Sequence, residues 1–548
     1  MNLGVRHIIR KKWPLFAAIL ALLSPTVWSA SRQGERLAVP IDDERVYLLH
    51  ADRLMYDQFT NPDAQRLAGN VKFRHKGMTL SCDSAVYFQA GNSFEAFGHV
   101  HLIQGDTLSL DGEQLRYSGN ELLAEVRRHV VLKHRNQTLY TDSLNYDRLE
   151  SMAYFFDGGK LIDGKDILTS DWGEYYTNTR KADFYYNVKL FNGKDSLVTD
   201  TLHYNTITKW ADVKGRSNIY SGDSRIYTEN GTYNSETGQA KLFDRSQIFN
   251  KGKTLVGDSV FYNKDNGEMR ALNNVVYRDT ISGQDFAGDF VLYNEQTGEA
   301  LAYDRALAKE YKNGPDTLFV HADTIRLHTF NINTDSVYRR LHGYFHVRTY
   351  RRDMQAVADS MTFTTQGNLL QLYRDPIVWS DDRQIVGEEI KVWTNDSTLD
   401  SVHVMRQAML VERLDSVHYN QVAGNLIRAY FERGEMTLGC VDGNVCVVNF
   451  PLEKDSSIIY QNYLETAHLR MTMQNRKLKR MWAPASKGCF YVAGLAPEER
   501  THLSGFAWFD YIRPLHAYDL FEWRPKKRGA ELRPSVRHEA PLQMLPSR

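Results

Sequence analysis

Cysteine and proline are scarce in this chain of 548 residues, at 4 and 14. That excludes a disulfide-stapled mini-scaffold and a proline-rich extended linker. Charge of one sign is also missing, since Lys plus Arg and Asp plus Glu each number 67. A nucleic-acid binder carries a basic surplus, so no nucleic-acid partner is expected. Local clusters such as Arg476, Lys477, Lys479 and Arg480 read as solvated faces. Beyond the N-terminus no apolar run is long enough to span a bilayer, and no long stripe repeats at the helical period of 3.6. Neither GxSxG nor HExxH occurs. No paired carboxylates interrupt the pattern described below, so neither an enzyme nor a cofactor is expected. His99 and His101 share a strand face, but a third metal ligand is lacking and no metal is assigned.

What is present begins with Arg6, Arg10, Lys11 and Lys12, followed by PLFAAILALLSPTVWSA. This is a basic start and an apolar stretch of signal-peptide length. Val27 and Ser29 are the small residues before a cut ahead of Ala30. Left uncut, the same stretch is an N-terminal tether. Residues 1–30 are therefore a signal peptide or an anchor, and the remainder is an exported chain. Cys440 and Cys446 flank VDGNV, which has hairpin-turn chemistry. They could pair as a disulfide or serve as two small buried hydrophobes.

The strongest signal is a repeat. Tyr87, Tyr117, Tyr146, Tyr175, Tyr204, Tyr233, Tyr262 and Tyr293 recur at steps of 29 to 31. Four residues before each stands an acid: Asp83, Glu113, Asp142, Asp171, Asp200, Glu229, Asp258 and Asp289. Seven after six of them stands Ala: Ala124, Ala153, Ala182, Ala211, Ala240 and Ala300. Within a phrase such as GDSVFYNKDNGEMRAL, alternation of period two gives a strand, Asn and Gly give a turn, and a second strand follows. The acids are expected at strand starts, accepting backbone N–H groups. The fold class is all-β, an elongated open β-jellyroll or solenoid-like stack of ~29-residue repeats. Residues 31–305 carry regular repeats and 306–495 degenerate ones with longer loops. Residues 496–548 form an aromatic segment and a disordered tail.

GDSVFYNKDNGEMRAL, TDSLNYDRLESMAY and TDTLHYNTITKWAD, together with ALNNVVY, EAFGHVHL and RLAGNVKF, resemble the OstA-like family. That family includes the periplasmic lipopolysaccharide-transport proteins LptA and LptC and the N-terminal domain of LptD. The resemblance covers roughly residues 45 to 495 and is good over 50 to 305. It implies a periplasmic bridge toward the outer membrane, with a greasy β-jellyroll interior that shields the acyl chains of lipopolysaccharide. It also implies edge-to-edge docking with other Lpt-type transport components at the terminal strands. The chain is longer than a short bridge module and lacks the membrane β-barrel of LptD. Expected lipid contacts are the apolar members of the tyrosine face: Leu115, Tyr117, Leu144, Tyr146, Leu202, Tyr204, Val260, Tyr262, Val291 and Tyr293. Two rival readings stand beside this one, a structural or adhesive exported β-repeat and a polysaccharide-active β-solenoid enzyme.

Overall fold

The computed structural model describes residues 44–534, apart from 60–61, 312–315, 333, 396–397 and 476. The expected signal segment and the last part of the expected tail, residues 535–548, lie outside the described residues. A single antiparallel sheet of 38 strands runs through the molecule. Among the described residues, helical structure is confined to Glu498–Thr501, Asp510–Ile512 and Ala517–Phe521.

Each unbroken strand pairs with the one before and the one after, and where a strand is split at the crease each half pairs with the matching part of the flanking strands. Ser93–Gln104, for example, lies between Met78–Phe88 and Leu108–Ser118. Its sequence SFEAFGHVHLIQ shows the cause. Phe94, Ala96, Val100 and Leu102 are buried on one face, while Glu95 and His101 lie on the other.

The alternation breaks once, in mid-strand. Gly98 and His99 have φ of 73° and 42°, and the pairing shifts there on both sides. One extra residue makes a β-bulge that bends the strand. The same device recurs at Gly69–Asn70, Arg128–His129, Tyr186–Asn187, Asn273–Asn274, Phe345–His346 and Arg406–Gln407. Elsewhere the break splits the strand, as between Ala240–Phe243 and Ser246–Asn250. The bulges line up, so the sheet is creased along its length and its two halves face each other. We call the half that bears the tyrosine column the tyrosine wall and the other the opposite wall.

The acid column lies on this crease, not at strand starts. Most of these acids span the bulge of the following strand, whereas Asp142 accepts from His129 N of the preceding one. Asp258 N donates to Asn273 O at 3.1 Å, and its carboxylate accepts from Asn274 Nδ2 at 2.9 Å. Asp83 meets His99 at 2.7 Å, Glu113 meets His129 at 2.7 Å, and Asp171 accepts from Asn187 at 2.6 Å. His101 has its own acid, Asp111, so the two histidines are held separately. Gly98 is needed twice over, for its positive φ and because a Cβ there would meet Asp83 Oδ2 at 2.4 Å.

The cysteine pairing is corrected by the same feature. VDGNV is the crease of one continuous strand, Glu435–Asn449, with Gly443 and Asn444 at positive φ. Cys440 stands opposite Arg428 and Arg470, and Cys446 opposite Ala423 and Glu465. Six extended residues separate them by ~20 Å, whereas a disulfide needs Cα atoms within about 7 Å. Cys82, Cys440, Cys446 and Cys489 are all free thiols.

Because some strands are halves split at the crease, the sheet has roughly 28 rungs. At ~4.8 Å between rungs, its length is on the order of 130 Å. Every phrase thus adds two rungs, each crossing both halves of the creased sheet.

The C-terminal segment does not stay free up to residue 534. It lies along the outer face of the opposite wall as a strap. Leu503, Phe509 and Ile512 pack with Val357, Ile377, Trp379, Met409, Val411, Ala423 and Val448. Four buried glutamines hold it. Gln384 donates to Ala507 O and accepts from Phe509 N, both at 2.8 Å. Gln421 does the same with Thr501 O and Leu503 N at 2.9 Å. Gln461 donates to Arg500 O, and Gln355 accepts from Arg513 Nε, both at 2.7 Å. Trp523 rests on His346, with ring centroids 4.5 Å apart. Lys526 turns the chain back to pair with Asp375.

Candidate functional site: the groove between the two walls

From about residue 46 to 242 the walls are closed on each other. Leu115, Leu144, Leu202, Tyr117, Tyr146 and Tyr204 are at most 2% exposed. From Tyr117 onward each tyrosine ring lies beside at least one alanine of the neighbouring strands, with Tyr204 between Ala182 and Ala211 and Tyr175 between Ala153 and Ala182, whereas Tyr87 lies between Gln65 and Phe94. Alanine leaves room for the ring, which is the reason for its seven-residue offset.

The ring hydroxyls then cross the mouth to the opposite wall. Tyr117 meets His75 Nδ1 at 2.7 Å and accepts from Arg148 at 2.6 Å. Tyr175 meets His134 Nδ1 at 2.8 Å. Tyr204 donates to Asp166 at 2.6 Å and to Asp163 at 3.2 Å. Lys209 pairs with Asp163, and Asn192 and Ser235 donate to Asp166. Tyr233 reaches Asp195 at 3.4 Å, and Lys264 meets the same carboxylate at 3.3 Å. Together these contacts form a polar latch over a greasy interior. Burial pushes the Tyr175 hydroxyl up to about 12, and burial followed by the facing acids raises Tyr204 and Tyr233 further. These hydroxyls stay protonated and remain donors.

From about residue 275 to 483 the side chains next to the crease stay buried. Val275, Ala302, Ile325, Val347, Leu372, Ile390, Val404 and Val441 are examples. One step further out, the inward apolar side chains are only half-buried. On the tyrosine wall these include Leu341, Phe363, Leu370 and Val392, and on the opposite wall Leu318, Val378, Ile385, Leu410 and Val422. Tyr262 turns to Glu295 on its own side, at 3.0 Å. The mouth here is an open groove with apolar walls and a packed floor.

Of the ten expected contacts, Leu115, Tyr117, Leu144, Tyr146, Leu202, Tyr204, Val260 and Val291 are buried in packing. Tyr262 and Tyr293 are half-buried near the start of the open stretch. The open walls fall in the degenerate repeats, where sequence reasoning placed no contact. A signal existed in VADSMTF and GEEIKVW, which put Met361, Phe363, Ile390 and Val392 at inward positions.

The terminal rungs leave apolar side chains exposed. Leu49, Leu54, Met55 and Tyr56 lie at one end, and Leu478, Met481, Trp482, Phe490 and Val492 at the other. Such edges are open to pairing with another strand.

Creased hairpin stack and groove together define an elongated all-β jellyroll. Residues 43–200 match the profile of the family described as OstA-like protein, and the chain is OstA-like there. None of the curated proteins matches the chain.

Proposed function

We propose that the chain is a periplasmic lipopolysaccharide-binding bridge protein, and that its acyl-chain site is the open groove between residues 300 and 483. The observation that carries this reading is the row of half-buried apolar side chains on two facing walls. A water-filled groove with such walls is unfavourable unless something apolar occupies it, since each buried CH₂ is worth about 0.8 kcal/mol. The shape of the site favours hydrocarbon over peptide. Walls made of sheet faces keep their main-chain groups inside the ladder and offer a peptide backbone nothing to bond. An acyl chain needs no such bonds. The exposed terminal rungs suit edge-to-edge docking with other Lpt-type components by strand addition. No catalytic role is proposed.

A purely structural exported β-repeat is favoured by one observation, the sealed interior up to residue 242. The two readings part at the open groove. Photo-crosslinkers at Phe363 and Val378 are expected to capture lipopolysaccharide in cells, and one at the sealed Leu202 is not. Absence of capture at both groove positions would leave the structural reading standing.

A further inference from the structure

The closed and open stretches meet at one place. Tyr277 projects inward from the opposite wall, two residues beyond the buried Val275, and Tyr293 projects from the tyrosine wall, two beyond Val291. Their rings stack across the groove with centroids 6.4 Å apart and planes 25° from parallel. On one side of this pair lies the latch, ending in Lys264 and Asp195. On the other, Phe286 stands next to Tyr277 on the opposite wall, and at the following rung the inward positions of both walls are small: Ala300, Ala302, Ala306 and Ala308. Groove width therefore changes over one rung, from three rings to four methyl groups.

Three rungs further along the tyrosine wall, on the open side of the pair, stands Arg339. It takes an inward position at the lip of the tyrosine wall, in alternation with Leu341 and the buried Gly343. Its backbone is fixed by two bonds to Thr365, at 2.9 and 3.0 Å. Among the described residues no carboxylate lies within ion-pair distance of its guanidinium. Nearby basic residues are paired, Arg278 with Asp285, Arg351 with Asp353 and Arg352 with Asp316. The acids closest to the tyrosines are already engaged. Glu295 accepts from Tyr262, and Asp279 accepts from the amides of Ile281 and Ser282 and faces Lys253. Burial raises both tyrosine hydroxyls, and the charge of Arg339 pulls them partway back.

Building on the groove reading, we propose that Tyr277 and Tyr293 form a stop that ends the amphiphile groove, with acyl chains only on its C-terminal side and an anionic phosphate of the headgroup taken by Arg339. The guanidinium is a planar fork suited to a phosphate or carboxylate. The aromatic pair offers hydrocarbon no passage, while its two hydroxyls can face the polar head.

The test uses the full chain with crosslinkers at Leu255, Leu341 and Phe363. The probes are purified lipopolysaccharide and the same lipid enzymatically dephosphorylated. The stop predicts capture at Leu341 and Phe363 and at least tenfold less at Leu255. Tyr277→Leu together with Tyr293→Leu should bring capture at Leu255 to within about twofold of Phe363. Arg339→Gln should lower capture of the phosphorylated lipid about fivefold and leave the dephosphorylated lipid unchanged. Competition by millimolar inorganic phosphate would assign Arg339 to free phosphate and overturn the headgroup assignment. Equal capture at Leu255 and Phe363 in the unaltered chain would overturn the stop and leave the groove reading intact. Capture at none of the three positions would overturn both.

Discussion

His134 shows how a single side chain ties this fold to its surroundings. It ends an inward row on the opposite wall and meets the Tyr175 hydroxyl across the mouth. Burial, followed by the charges of Arg135 and Arg180, holds its pKa below the usual histidine value. A histidine with a lowered folded pKa stabilises the fold above its unfolded value of about 6.5 and loses that contribution as pH falls through the folded value. The melting temperature should therefore drop between pH 7.5 and 5.5, and His134→Gln should drop less over the same interval. Equal slopes for the two proteins would show that the latch does not depend on the neutral ring. The tyrosine column was legible in the sequence, but its role was not. Spacing of 29 reports which residues stack, whereas the partners of Tyr117, Tyr175 and Tyr204 lie 38 to 42 residues away on the other wall. The acids were misplaced for a related reason. A carboxylate that accepts local N–H groups looks alike at a strand start and at a mid-strand bulge.

Individual elements repeat that ambiguity. Gly and Asn supply positive φ to hairpin turns and to bulges alike. Hence VDGNV reads as a turn when taken alone, and only its neighbours at 406–407 and 345–346 mark it as part of the crease. The strap was less legible still. Its docking rests on Gln355, Gln384, Gln421 and Gln461, whose spacing of 29, 37 and 40 follows the lengthening repeat. Glutamine seldom marks a buried face, so nothing drew attention to that column. Its energetic weight can be measured. Gln384 serves Ala507 O, Phe509 N and Trp379 Nε1 in a fully buried site. Gln384→Leu strips all three of a partner and should destabilise the fold by on the order of 3 kcal/mol in denaturant unfolding, since each unsatisfied buried group costs about 1–3 kcal/mol. Proteolysis within residues 500–534 should accelerate alongside. An unchanged midpoint would mean that the strap is held by its apolar contacts alone. The far end of the strap is its weaker one. There Ala517–Phe521 covers Arg348, whose guanidinium is buried with no hydrogen-bond partner and whose pKa burial lowers to about 10.

At the scale of the molecule, rungs added one on another predict a rod. Small-angle scattering from the purified chain should give a maximum dimension on the order of 130 Å. A value near 60 Å would mean that the sheet folds back on itself. All-β class and stacked repeats were readable because period two and period 29 are properties of the string. Groove aperture was not, because it depends on whether side chains of two walls meet, and no one-dimensional pattern records that.

The strap adds a consequence for how the molecule is made. A polypeptide emerges from its N-terminus, so the latched rungs can close early, each supported by the rung already in place. The braced half cannot be finished in that order, because its backing is the last part of the described chain to appear. Until residues 500 to 534 arrive, Trp379, Val411 and Val448 face water as a bare apolar sheet, which invites self-association. Loss of about fifty residues at the far end of the chain would therefore injure rungs up to about 150 positions earlier.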